Sequence, residues 1–267
     1  MGKLPTGGLI GKTVRFVGKI LACRVSVYAA NAGFFVALSV FPMLLLLMGL
    51  LRYSGLEARR LTALLSGLVP EALLPAAERL IQNAWTHTSG AAVGLSAITT
   101  LWSAGRGMYG LLAGLNAVYD VREDRGYVRT RLLSTGCTLV LLLALVLTVT
   151  ARILEGDAWG PGMRWLALPV LLTLLFGTLY RVLPNRIGGF RETLPGAVLA
   201  ALGWLTFSRL YSGYVARFSD YSNIYGSVYA GALGMLWMYI CISILFYGGL
   251  LNRMLLQRKI RKIMSDS

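Results

Sequence analysis

A single arginine interrupts a long apolar stretch. Trp102-Ser103-Ala104-Gly105-Arg106-Gly107-Met108-Tyr109-Gly110 follows Ala91-Ala92-Val93-Gly94-Leu95-Ser96-Ala97-Ile98 and leads into Leu111 to Tyr119. An arginine at the centre of a membrane helix costs at least ~2.5–3.5 kcal/mol to insert, so it is expected to face a bundle interior and to have a partner or a task. Glycines at 105, 107, 110 and 114 let a neighbouring backbone or a ligand come close. Gly105 and Gly107, with Pro42 in an earlier apolar run, are the expected points of hinge or kink. Arg209 is a second cation in apolar surroundings, while all eleven acids fall in connecting segments. Two such cations with no carboxylate beside them favour an anionic ligand, for example a phosphate headgroup held in a cavity. Tyr211, Tyr214, Tyr221 and Tyr225 could line its mouth as donors, and Asn31, Ser103, Asn116 and Asn223 could add neutral hydrogen bonds.

Each of these residues also has a plain structural reading. Arginines snorkel to an interface or bind carbonyls of unwound helix. Tyrosines form interfacial belts, and an asparagine such as Asn31 can bond one helix to another. Catalysis finds less support. A nuclease or other hydrolase needs a metal cluster or a paired acid and base. With one histidine, His87, and scattered acids, no such set can be named. No catalytic residue, metal or cofactor is therefore expected, and the chain is read as a non-enzyme. Cys23, Cys137 and Cys241 are widely spaced, which argues against a disulfide framework or zinc site.

The elements that must position these residues follow from the apolar runs. Of 267 residues, 56% are hydrophobic and 14% charged, a membrane-protein composition rather than that of a soluble domain. The runs predict an all-α polytopic membrane protein, one domain with six transmembrane helices at about 29–51, 91–118, 132–153, 163–182, 194–216 and 227–251. Residues 1–28 carry Lys3, Lys12, Arg15, Lys19 and Arg24 opposite Val14, Val17, Leu21 and Val25, the pattern of an amphipathic helix on an anionic leaflet. Residues 57–84 alternate charged and leucine-rich positions and predict two short outer amphipathic helices broken near Val69-Pro70. Pro195 is expected in a first helical turn. A tyrosine-rich bend should separate the last two spans, and Gly226, Ala230 and Gly234 predict a packing face. No cleavable leader is expected, because the first apolar run begins only near Tyr28.

Six spans put both termini on one side, and the charges say which. The two tails and the loops 120–131 and 181–193 hold 17 of the 26 Lys and Arg, and the opposite side holds 7. The excess predicts a bacterial-type cytoplasmic (inner) membrane protein with both termini in the cytoplasm. The net charge of +15 is then read as basic ends facing anionic lipid rather than nucleic acid.

Several segments, in order and spacing, resemble the YihY/BrkB family of membrane proteins, long mislabelled "ribonuclease BN". They are Ala37-Leu38-Ser39-Val40-Phe41-Pro42, Leu101-Trp102-Ser103-Ala104-Gly105-Arg106-Gly107 and Leu115-Asn116-Ala117-Val118-Tyr119. Leu179-Tyr180-Arg181-Val182-Leu183-Pro184-Asn185, Leu194-Pro195-Gly196-Ala197 and Tyr221-Ser222-Asn223-Ile224-Tyr225-Gly226-Ser227 continue the series. Trp237-Met238-Tyr239 and Gly248-Gly249-Leu250-Leu251-Asn252 complete it. The family pattern often carries a glutamate in the last motif, and here that motif has no acid. The resemblance implies a six-helix inner-membrane protein, with lipid or small-molecule export among the proposed activities. Together these readings predict a transporter or flippase-like exporter of an anionic amphipathic molecule or lipid through a cavity lined by Arg106. The alternative is a non-catalytic membrane scaffold or envelope-integrity protein. Oligomeric state is left open.

Overall fold

The computed structural model of the chain describes residues 24–53, 69–86, 90–140, 161–186, 189–217 and 221–266. Among these residues there are helices and connections and no strand. Helix α1 spans Val25–Tyr53. A 3₁₀ turn at Glu71–Leu73 leads into α2, Leu74–Thr86. Then come α3, Gly90–Tyr119, and α4 over 127–140. The series ends with α5, Pro161–Val182, α6, Phe190–Arg217, and α7, Tyr221–Asp266. The all-α expectation holds. The basic segment up to residue 23, the first of the two outer amphipathic helices and the second half of the third expected span lie outside the described residues. By length and composition, Val25–Leu46 and Val228–Arg261 can each cross a membrane, and Leu168–Val182 is a shorter apolar helix.

Three expectations are corrected. First, α3 runs unbroken through Gly105 and Gly107, so the helix is not interrupted at these glycines. Gly107, Gly110 and Gly114 serve packing, because a helix without side chains on one stripe lets another approach. A Cβ on Gly110 would stand 3.0 Å from the Cα of Ala32, and one on Gly107 would stand 2.8 Å from Val36, both in α1. A Cβ on Gly114 would collide with the Phe246 ring of α7. Pro42 lies inside α1, which is assigned as one helix on both sides of it. Second, α6 starts at Phe190, so Pro195 sits in its second turn. Third, α6 continues through Tyr211 and Tyr214, and α7 begins already at Tyr221. The tyrosine-rich stretch is therefore mostly helix. Among the described residues, no atom lies within 4 Å of the Cβ position of Gly234. The close crossing in α7 falls lower, where Gly248 meets Gly196 and the Tyr180 hydroxyl.

In this bundle α3 lies along α1, α7 packs on α1 and α6, and α5 packs on α6. The core is Leu112, Leu115 and Val118 of α3, Tyr180 of α5, Ala197 and Ala200 of α6, and Leu245 and Phe246 of α7. The segment of the 3₁₀ turn docks on α6 and α7 as a collar. Leu73 packs with Tyr211, Val215, Trp237 and Cys241, and the Ala72 N–H donates to Ser212 Oγ at 3.2 Å.

Candidate functional site

Arg106 does not turn into the bundle. It is exposed, on a stripe of α3 with Leu95, Ile98, Trp102 and Tyr109 that also faces outward. The stripe follows from spacing, since these positions recur every three or four residues on one helical face. The buried face of the same helix takes the small and core residues Ser103, Gly107, Gly110 and Gly114. Phe34, Leu38 and Phe41 of α1 extend the apolar exterior beside it. The guanidinium lies 5.4 Å from the ring centres of both Phe35 and Trp102, within cation–π range. Among the described residues it has no ion pair. The 30 residues of α3 make about 45 Å of helix, and Arg106 stands about 20 Å from its Tyr119 end. That distance exceeds the length of an arginine side chain, so the charge does not reach that end by snorkelling.

A second polar cluster forms at the Tyr119 end of α3, from segments far apart in sequence. The helix closes with Asp120 in the left-handed region (φ 58°), a conformation that Asp tolerates better than most residues. The Val121 N–H donates to the Asn116 carbonyl at 2.9 Å and that of Asp120 to Ala117 at 3.2 Å, which together form a Schellman motif. The buried Asn116 then joins three segments. Its Nδ2 donates to Glu123 Oε2 at 2.7 Å, and its Oδ1 accepts from the Asn185 N–H at 2.8 Å. Arg125 binds Glu123 at 2.6 Å and donates to the Leu183 carbonyl at 2.8 Å, capping the end of α5. Arg125 holds the Glu123 carboxyl below the usual range against the opposing effect of burial, and the Asn116 amide adds a smaller lowering.

Asn252 of α7 is the matching buried amide. It accepts from the Gly196 N–H at 2.7 Å and donates to the Thr193 carbonyl at 3.0 Å and the Tyr119 hydroxyl at 3.3 Å. Arg253 beside it donates to the Val118 carbonyl at 3.0 Å and pairs with Asp120 at 2.6 Å. Tyr180 donates to the Leu245 carbonyl at 2.5 Å. Here Gly196 and Gly248 are necessary, because a Cβ on either would overlap the other's backbone. Three carboxylates of this end, Asp120, Glu123 and Glu192, each face an arginine rather than one another.

The remaining expected site residues divide between these places and neither. Ser103 is buried and donates to the Thr99 carbonyl at 2.7 Å, so its hydroxyl serves its own helix. Tyr211 is buried in the collar contact and donates to the Leu233 carbonyl at 2.9 Å. Asn31, Arg209 and Tyr214 are exposed. The side chains of Tyr221, Asn223 and Tyr225 lie outside the described residues. The structure does not gather Arg106 and Asn116 into one cavity, since they mark the middle and the end of α3. Residue-by-residue reading missed Tyr119, Arg125, Arg186, Asn252 and Arg253. Their signal was the clustering of polar residues at the ends of apolar runs.

Outward apolar faces, membrane-length helices and polar side chains drawn to one end define an all-helical membrane protein. The chain belongs to the family described as Virulence factor BrkB, whose model matches residues 16–266. It is 31% identical over 247 residues to a Bacillus subtilis (strain 168) protein, YfkH, whose name describes it as ribonuclease-like. That match covers 86% of this chain and 90% of the relative. It is 27% identical to a UPF0761 membrane protein of Aromatoleum aromaticum, over 88% of this chain and 61% of that protein. With a UPF0761 membrane protein of Vibrio vulnificus (strain YJ016) it shares 25% identity over 84% of this chain and 76% of the relative. No solved structure matches the chain.

Proposed function

We propose that the chain is a six-pass inner-membrane protein, with both termini in the cytoplasm, that moves or flips an anionic amphipathic molecule along the Arg106 face. The observation that carries this reading is a guanidinium at mid-helix, between two aromatic rings, on an otherwise apolar outward stripe. Facing hydrocarbon, such a charge is costly without an anion. A phosphate-bearing lipid brings the anion in its headgroup and matches the surrounding stripe with its chains. The distribution of Lys and Arg supports the orientation.

The test is mass spectrometry of lipids co-purified in mild detergent with wild type, Arg106→Ala and Arg106→Lys, followed by liposome flipping of the lipid found. An anionic lipid should be enriched over the membrane background in wild type and lost in Arg106→Ala, with the protein still folded and inserted. Arg106→Lys should retain part of it, because charge survives without the planar fork. A membrane scaffold predicts no such difference. Background lipid in all three proteins, or equal enrichment in all three, refutes the reading.

A further inference from the structure

We propose a second anion site, for a phosphate group, where Arg186 meets the first turn of α6. Arg186 lies in the connection between α5 and α6, held by its own N–H bond to the Pro184 carbonyl at 2.8 Å. Its guanidinium stacks on the Tyr119 ring at 4.3 Å, and the side chain is 10% exposed. Nη2 is buried and, among the described residues, has no hydrogen-bond partner. Leaving a charged donor there without a hydrogen bond is costly, and the neighbouring arginines avoid it: Arg125 and Arg253 each hold a carboxylate and a backbone carbonyl.

Nη2 is aimed at Glu192, whose Oε2 is 3.8 Å away, too far for a hydrogen bond. Glu192 is in the first turn of α6, where the helix dipole favours an anion, and its own N–H donates to the Gly189 carbonyl at 3.1 Å. Its side chain is 34% exposed, so it can swing outward. The carboxylate thus stands where a phosphate oxygen would sit, and a phosphate would take its place and complete the hydrogen bond. Arg191 adds an exposed cation on the same turn, while the charges of Glu123 and Asp120 are already matched by Arg125 and Arg253. The site is independent of Arg106, which sits about 20 Å away along α3. A lipid headgroup and a soluble phosphate compound present the same chemistry to it.

The experiment uses the full chain in lipid-stripped maltoside micelles. Inorganic phosphate is titrated against potassium chloride at equal ionic strength, with the thermal midpoint as readout. Native mass spectrometry then counts adducts of added dioleoylphosphatidylglycerol. Wild type should respond, and Arg186→Gln should need at least about tenfold more ligand because a charge-assisted bond is gone. Glu192→Gln should need about two- to fivefold less than wild type, because a competing carboxylate is removed. Arg186→Lys, which keeps the charge, should fall between wild type and Arg186→Gln. A merely structural Arg186 would not produce the gain in Glu192→Gln, and that variant keeps the test open should Arg186→Gln fail to fold. A phosphate response without adducts that depend on Arg186 identifies a soluble ligand, and adducts lost in Arg186→Gln without a phosphate response identify a headgroup. A wild type that answers to neither probe, an Arg186→Gln that answers as wild type does, or a Glu192→Gln that gains nothing overturns the proposal.

Discussion

Replacing Asn252 with alanine removes the amide that ties α7 to α6 and α3. The side chain is 1% exposed and makes three hydrogen bonds, to the Gly196 N–H, the Thr193 carbonyl and the Tyr119 hydroxyl. At about 1 kcal/mol net for each bond, the loss is about 3 kcal/mol. For a chain of this size that lowers the thermal midpoint by roughly 6–12 °C. The assay is thermal unfolding in detergent, followed by tryptophan fluorescence. Asn252→Asp sharpens the test because it conserves shape. It keeps an acceptor for Gly196 but sets a carboxylate oxygen against the Thr193 carbonyl in a buried place, so it should destabilise at least as much as alanine. An Asn252→Ala within about 1 kcal/mol of wild type, or an aspartate variant more stable than the alanine one, would refute the assignment of Asn252 as the tie between these helices.

Three further predictions rest on the packing and the charges. Gly114→Ala puts a methyl group into the Phe246 ring and 2.9 Å from the Tyr28 Cβ, and should cost about 1–3 kcal/mol in the same unfolding assay. Gly94→Ala, which meets nothing within 4 Å, should be neutral or stabilise by about 0.5–1 kcal/mol. Glu123 has its folded value below the ordinary 4.5, so its contribution to stability is present above that value and is lost as pH falls through the depressed one. Thermal midpoints of wild type and Glu123→Gln should therefore differ at neutral pH and converge as pH falls below 4.5 and through the depressed value. Parallel curves across that range would show that Arg125 and Asn116 do not hold the carboxylate.

The sequence by itself determined the helical class, the apolar runs, the basic ends and the residue types available for binding. These depend on composition and on a period of 3.6 residues, both local properties. It also marked Asn116, Asn185, Gly196 and Asn252 as parts of separate motifs. Only the tertiary structure decided what those motifs do. α3 is apolar on nearly every face, so its period could not say which side another helix would cover. The glycines took that side because they admit α1, and Arg106 was left on the other, facing outward rather than into a cavity. Likewise the pairing of Asn116 with Asn185, and of Asn252 with Gly196, joins residues 69 and 56 positions apart. Their amides and the buried Arg186 guanidinium meet because α3 and α5 end, and α6 begins, beside Asn252 of α7, and a packed end of a bundle must match its own polar groups.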